Sequence, residues 1–263
     1  MQAVFFDLDD TLLWDSKCVK EAFAITCKEA SKRTGVDAKK VEDSVRDVAP
    51  KIYATYDVFP FTKMIGINPF EGLWGTFNDG TFEFPKLEAI APIYQKQAWT
   101  KALEALGIHD EKLGSELALL FKKSRENLSF LYPETLDILE KLKGHFRLAL
   151  ITNGSPSLQN HKIEKAEKLR PYFDEIIISG EHGKGKPHPT VFNYALSQLN
   201  IDKNEAIMVG DNLHTDILGA NTIGLKSIWI NHDNKTATED NQPTHTVTSL
   251  KEIIPILLND IDK

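Results

Sequence analysis

The sequence has two cysteines in 263 residues, Cys18 and Cys27. They stand nine positions apart in a stretch of helical periodicity. That is about 13.5 Å of rise, too far for a disulfide within one helix. A disulfide scaffold is excluded, and two reduced thiols fit a cytoplasmic protein. No apolar run approaches the ~18–20 residues needed to span a bilayer. No basic segment precedes the N-terminal apolar stretch, which stops at Asp7, so neither a membrane span nor a secretory signal is expected. Positive charge is not in excess: 31 Lys and Arg against 38 Asp and Glu give a net charge of −7. That disfavours a nucleic acid polymer or an anionic membrane as partner. There is no Cys/His cluster for zinc, no Gly-x-x-x-x-Gly-Lys-Ser/Thr phosphate loop and no Gly-x-Ser-x-Gly elbow. Internal repeats and low-complexity segments are also missing. Nothing in the sequence sets an oligomeric state. What remains is 41% hydrophobic and 26% charged, the balance of an ordinary globular protein.

Against that background one stretch stands out. An apolar run, Ala3-Val4-Phe5-Phe6, ends in Asp7-Leu8-Asp9-Asp10-Thr11. The run reads as a short buried strand. Three carboxylates in four positions are poor strand material, because Asp is depleted from strands and like charges repel. They are either solvated at a turn or gathered around a cation.

The rest of the chain falls into two regimes. Residues 17–33, 37–56, 85–106 and 110–127 carry apolar residues at helical spacing, with Gly35 ending the first stretch and Asp37 capping the second. Between them, 60–85 mixes Gly, Pro and aromatics without a period. This long segment is either a self-packed connection or a substrate-facing part of a lid. After about 129 the pattern alternates. Strands are expected at 147–152, 175–179, 206–210 and 226–230, and helices at 133–143, 158–169, 190–199, 213–223 and 250–258, with a short strand at 245–247. Such alternation means a parallel sheet with helices on both faces, and the isolated strand at 3–6 must join it. The expected fold is therefore a doubly wound α/β core, residues 1–16 and 129–263, interrupted by a helical insert, residues 17–128, with hinges near 16 and 128. Ligands of open α/β sheets bind beyond the carboxyl ends of the strands, so the insert departs where a lid would be useful.

Four strand ends carry polar groups. They are Asp7-Leu8-Asp9-Asp10-Thr11, Thr152-Asn153-Gly154-Ser155, Gly183-Lys184-Gly185-Lys186-Pro187 and Gly210-Asp211-Asn212-Leu213-His214-Thr215-Asp216. Singly they are a turn, a helix cap or surface charges. Together, at one edge of a parallel sheet, they offer carboxylates for a metal, a hydroxyl and backbone donors for an anion, and a lysine. That inventory suits a phosphate group and Mg²⁺, a hard cation with oxygen ligands.

The set Asp7-x-Asp9-x-Thr11, Thr152-Asn153-Gly154, Lys186-Pro187 and Gly210-Asp211-x-x-x-x-Asp216 resembles the haloacid dehalogenase superfamily, in that family's order. It is similar to the phosphatase branch with a helical cap between the first and second motifs. The resemblance implies a Rossmann-like core and a Mg²⁺-dependent phosphatase of small phosphorylated metabolites, nucleotides, sugar phosphates or phosphoserine among them. It implies Asp7 as nucleophile, forming an aspartyl phosphate, and Asp9 as general acid and then base. Thr152, Asn153 and Lys186 would hold the phosphoryl group. Asp7, the main-chain carbonyl of Asp9 and Asp211 would bind the metal, with Asp216 as a ligand or as the group that orients Asp211. Dehalogenases of the superfamily carry no Asp two positions after the nucleophile, so Asp9 points to phosphate chemistry. The sugar phosphate mutases resemble Asp-x-Asp-Gly-Val, which differs from Asp10-Thr11. A phosphotransferase and a non-enzymatic binding protein are the alternatives on this fold, the latter disfavoured by the presence of both Asp7 and Asp9. One departure is His188, where many relatives carry an Asp between the two prolines. Lys63 and Arg125 are cationic candidates for substrate capture in the insert, or solvated surface charges. Asp10 is expected to be a solvated turn residue.

Overall fold

The computed structural model describes residues 1–166 and 168–258; residues 167 and 259–263 of the expected core, the former within the helix expected at 158–169, lie outside them. The first apolar run is a strand, β1 (Ala3–Phe6), buried at every position. Six helices follow, α1 (Asp15–Thr34), α2 (Ala38–Tyr53), α3 (Phe59–Ile65), α4 (Pro69–Gly72), α5 (Phe84–Glu104) and α6 (Glu111–Asn127). The alternating half is α7 (Thr135–Leu142), β2 (Arg147–Thr152), α8 (Pro156–Lys165), β3 (Glu175–Ile178), α9 (Pro189–Leu199), β4 (Ala206–Gly210), α10 (Leu218–Ile223), β5 (Lys226–Ile230), β6 (His245–Val247) and α11 (Ile253–Leu258). A π-helical turn, Leu213–Ile217, stands between β4 and α10, where a continuous helix was expected. No helix among the described residues is long and apolar enough to cross a membrane.

The chain forms two compact units. One comprises Met1–Asp15, Phe130–Gly154 and the described residues from Ala166 onward; the other comprises Ser16–Ser129 and Ser155–Lys165. The first holds six strands in the order β3-β2-β1-β4-β5-β6, every pairing parallel. Both faces of such a sheet are covered, which is why its strands are nearly all apolar. Ala3, Phe5, Ala149 and Ile151 share a core with Val191, Phe192 and Ala195 of α9 and Ala220 of α10. The alternate residues Val4, Phe6, Leu148 and Leu150 point to the opposite face and are equally buried. β1 is central, and the sheet grows from it through β2 in one direction and β4 in the other. The chain reverses direction of growth beside β1, and a crevice opens at such a point beyond the strand ends.

The second unit is helical. Phe23, Trp99 and Phe121 meet at its centre, with Phe23 and Phe121 centroids 4.8 Å apart. Asp37 caps α2 as predicted, accepting from the backbone N–H of Lys39 and Lys40. The segment without a period, 60–85, contains all but the first residue of α3 and the whole of α4. Pro60 opens α3 at its first turn, a position where the missing N–H costs nothing, and Asn68 with Glu71 forms a capping box on α4. Beyond α4, Leu73, Trp74 and Phe77 are buried, so the aromatic content of this segment goes largely into its own unit. Arg125 is buried, not solvated, with its guanidinium 4.7 Å from the Trp74 ring centre. Lys63 lies over the Phe59 ring at 5.6 Å.

Helix α8 packs in this helical unit, although the strand–helix alternation had assigned it to the core. Leu158 joins the helical core. Lys162 Nζ lies 3.1 Å from Glu71 Oε1, both side chains buried. Asp79 caps the start of α8, accepting from the Ser157 N–H at 2.6 Å and from the Ser155 hydroxyl at 2.7 Å. These partners are 76 to 91 positions apart in the chain, beyond the reach of any local pattern.

Candidate active site

The register of the sheet brings the motifs together. Phe6 is level with Leu150 of β2 and Val209 of β4, and the Asp7 N–H continues the ladder to the Val209 carbonyl at 3.0 Å. Asp7 therefore leaves the central strand between Thr152, which ends β2, and Asp211, which follows β4. It is 8% exposed. Oxygens of Asp7, Asp211 and Asp216 all lie within 4.8 Å of one another. Thr11, fully buried, donates its hydroxyl to Asp211 Oδ1 at 3.4 Å, and the Trp229 indole N–H donates to the Asp211 carbonyl at 2.8 Å. Asp216 accepts from the Asn212 N–H at 3.1 Å. Gly210 is required here, since a Cβ at that position would collide with the Asp216 carboxylate.

Lys186 enters this acidic group from the loop between β3 and α9. Its Nζ is 2.6 Å from Asp7 Oδ1, 2.7 Å from Asp216 Oδ1 and 2.7 Å from the Ile151 carbonyl. Two of the ammonium's three hydrogens are donated to Asp7 Oδ1 and the Ile151 carbonyl, and Asp216 completes the surroundings as an ion pair. Lys186 thus orients and compensates Asp7. Asn153 ties down the same loop: its Nδ2 donates to the Lys186 carbonyl at 2.9 Å and its Oδ1 accepts from the Lys186 N–H at 2.7 Å. A Cβ at Gly185 would meet Asn153 Oδ1 at 2.6 Å, so the close approach needs glycine. His188, the departure from the family pattern, caps α9. Its Nδ1 accepts from the Thr190 hydroxyl at 2.8 Å and from the Thr190 N–H at 3.3 Å, which is the service an Asp performs at such a position.

The other expected residues are nearby in the fold. Thr152 ends β2 and is buried. Asp9 is half-buried in the turn after β1, and its charge is one of the influences that raise Asp7. Asp10 occupies the left-handed region at φ 56°. Thr11, Trp229 and the Ile151 carbonyl were not singled out from the sequence. Thr11 lies inside a quoted motif, but the indole and the carbonyl carry no local signal.

The electrostatics are those of a site prepared for a cation. With all three ionised, Asp7, Asp211 and Asp216 against Lys186 would leave two uncompensated negative charges in a largely buried place. Burial, opposed by Lys186 and reinforced by Asp216 and Asp9, pushes the Asp7 carboxyl up to about 7. Burial, with Asp216, Asp7 and Asp10 adding to it, pushes Asp211 up to about 9. Burial opposes the Lys186 charge, but Asp216 and Asp7 hold its ammonium above the ordinary range. Crowded oxygen donors of this kind fit a hard divalent cation, which would reverse the upward shifts.

A stability test follows. Both carboxyls ionise near 3.8 in the unfolded chain but hold their protons to about 7 and about 9 in the fold. Between those values the native state binds more protons, so stability falls as pH rises. The unfolding midpoint of metal-stripped protein is expected to drop by at least ~2 °C between pH 5 and pH 9. A divalent cation, which binds only the ionised carboxylates, is expected to raise it more at pH 8.5 than at pH 6. A cation effect equal at both would contradict the assigned cluster.

A family model for haloacid dehalogenase-like hydrolases matches residues 1–224. The chain is similar to a phosphoserine phosphatase of Thermus thermophilus, 32% identical over 260 residues and covering 96% of this chain and 98% of that one. It is also similar to a glyceraldehyde 3-phosphate phosphatase of Pyrococcus furiosus, 28% identical and covering 98% and 93%. Among solved structures its fold resembles that of the HAD-hydrolase YfnB from Bacillus subtilis bound to magnesium, with a TM-score of 0.64, 22% identity and coverage of 97% and 98%.

Proposed function

We propose, for a chain that belongs to the haloacid dehalogenase-like hydrolases, that it is a Mg²⁺-dependent phosphatase of small soluble phosphomonoesters acting through an aspartyl phosphate on Asp7. The observation that carries this reading is the buried Asp7–Lys186 pair at 2.6 Å, set within the Asp7–Asp211–Asp216 group. It supplies an oriented nucleophile, a counter-charge and a cation cradle at one strand edge. The names of the relatives, a phosphoserine phosphatase and a glyceraldehyde 3-phosphate phosphatase, support the phosphomonoester class.

A phosphomonoester adds negative charge to a site that already has an excess of it. Asp7, the Asp9 carbonyl and Asp211 would hold the Mg²⁺, with Asp216 binding it or orienting Asp211. When bound, the ion supplies neutralisation of the phosphoryl oxygens. In the first step an Asp7 oxygen attacks phosphorus and the bond to the substrate alcohol breaks. Asp9 gives its proton to the departing oxygen. In the second step the Asp9 carboxylate takes a proton from water, whose oxygen attacks phosphorus. The bond to Asp7 breaks, and phosphate leaves with Asp7 restored. The Thr152 hydroxyl holds a phosphoryl oxygen. Asn153 fixes the loop that delivers Lys186, and Lys186 keeps Asp7 aimed and offsets charge.

The test is phosphate release from a panel of phosphomonoesters with Mg²⁺. The wild type is expected to act on at least one alkyl ester and on 4-nitrophenyl phosphate, and to lose both on full chelation. Asp9→Asn is expected to cost roughly 10²-fold or more on the alkyl ester and much less on 4-nitrophenyl phosphate, whose leaving group needs little protonation. Equal losses would remove Asp9 from the acid–base role.

A further inference from the structure

Three rings stand together in the parallel-sheet unit, beside the turn that carries Asp9. Trp14 and Tyr132 stack with centroids 5.2 Å apart and planes 13° apart. His232 stacks on Tyr132 at 5.1 Å and 11°. Trp14 and Tyr132 lie on two chain segments joined backbone to backbone, Trp14 N–H to the Phe130 carbonyl at 2.7 Å and Tyr132 N–H to the Leu12 carbonyl at 3.2 Å. After burial, the largest influences that raise the Tyr132 hydroxyl are Asp10 and Asp211, so the stack borders the acidic site.

The imidazole of His232 does more than stack. Its Nε2 is 2.9 Å from the main-chain carbonyl of Asp10. A carbonyl only accepts, so Nε2 carries the hydrogen. Asp10 is a non-glycine residue at φ 56°, a conformation that persists only when its surroundings hold it. Its own N–H is held by the Leu13 carbonyl at 2.7 Å; His232 holds its other end. The loop presenting His232 is itself closed. The Asn231 N–H reaches the Val247 carbonyl at 2.7 Å, and its side chain exchanges two bonds of 2.9 Å with the backbone of Lys235. Asp9 and Thr11 flank Asp10, so relaxation of that one residue to negative φ would re-aim both.

We propose that His232 is a positioning residue for the reaction, pinning the left-handed turn at Asp10 so that Asp9 stays aimed at the leaving group. This rests on the acid–base role proposed above for Asp9. No sequence motif indicates it: His232 lies among the polar residues Asn231, Asp233, Asn234 and Lys235. The stack fixes the ring, the ring fixes the carbonyl, and the carbonyl fixes the turn.

Two variants separate the contacts. His232→Phe keeps a ring on Tyr132 and removes the donor; His232→Gln removes the ring and keeps an N–H at similar reach. His232→Phe is expected to lower kcat on an alkyl phosphomonoester roughly 3–10-fold, the effect of losing one neutral hydrogen bond, with KM changed less than about twofold. The loss on 4-nitrophenyl phosphate is expected to be smaller, and His232→Gln is expected to recover most of it on the alkyl ester. A second readout needs no substrate. Amide hydrogen exchange in the turn spanning residues 9–13 is expected to be faster in the Phe variant than in wild type and close to wild type in the Gln variant. Wild-type kcat in His232→Phe, equal losses on the two esters, or unchanged exchange would each overturn the proposal. A wild type inactive on both esters would refute the phosphatase reading instead, and the exchange measurement would still decide whether His232 holds the turn.

Discussion

Asp7→Asn is expected to lower phosphate release by at least roughly 10³-fold, because the carboxamide has no anionic oxygen to attack phosphorus. The fold is expected to survive the change. Asp7, Asp211 and Asp216 crowd their oxygens within 4.8 Å, and burial pushes Asp7 up to about 7, so the wild-type carboxylate is held against its own electrostatics. The amide removes one charge from that group, while Lys186 keeps Asp216 at 2.7 Å and the Ile151 carbonyl at 2.7 Å. The metal-stripped variant is therefore expected to unfold at or above the wild-type temperature at pH 8, a gain in stability at the expense of activity. Single-turnover phosphate release and thermal unfolding check the two halves separately. Activity within tenfold of wild type would take the nucleophile's role away from Asp7.

Lys186→Met is expected to be costly in both respects. The side chain is buried, with ion pairs to Asp7 and Asp216 and a hydrogen bond to the Ile151 carbonyl. A thioether of similar length leaves both carboxylates and the carbonyl without their shared cation. Breaking a buried pair in this way destabilises by ~3–5 kcal/mol, which for a chain of this size lowers the unfolding midpoint by ~10 °C. Activity is expected to fall by at least roughly 10²-fold, since the nucleophile loses the group that aims it and lowers its proton affinity. Divalent cation at saturating concentration is expected to return part of the stability, by taking over the charge compensation, and little of the activity. A midpoint within about 2 °C of wild type would mean that the lysine is solvated and the pairing weak.

These two residues also mark how far the sequence could be read. Asp7 was conspicuous because three carboxylates at the end of an apolar run need a reason that local structure does not provide. In the sequence Lys186 is only a lysine in a glycine-rich loop, distinguished by the order in which it follows the other motifs. What it does with its three hydrogens was not legible: the Ile151 carbonyl has no side-chain signature, and the carboxylates lie at positions 7 and 216. From the sequence Arg125 is a candidate substrate contact or a surface charge; in the fold it is buried against Trp74. The segment 60–85 shows no helical period because α3 and α4 are seven and four residues long, too short to display one.

The sequence by itself determined the strands of the sheet, the helical nature of the insertion and the list of groups that gather at the strand ends. Apolar period, caps and the crowding of like charges are local properties, and they survive whatever the tertiary structure does with them. Only the tertiary structure decided where those groups stand. Parallel pairing of β1 with β2 and β4 sets Asp7 between strands whose level residues are 144 and 203 positions away, as the register of Phe5 with Ala149 and of Phe6 with Val209 records. It also moved α8 into the helical unit through Asp79 and Glu71, and brought His232 to the carbonyl of Asp10. Contacts across such separations are made by backbone atoms and single side chains. No period or spacing in the chain announces them, because the free energy that selects them is that of the whole packed unit.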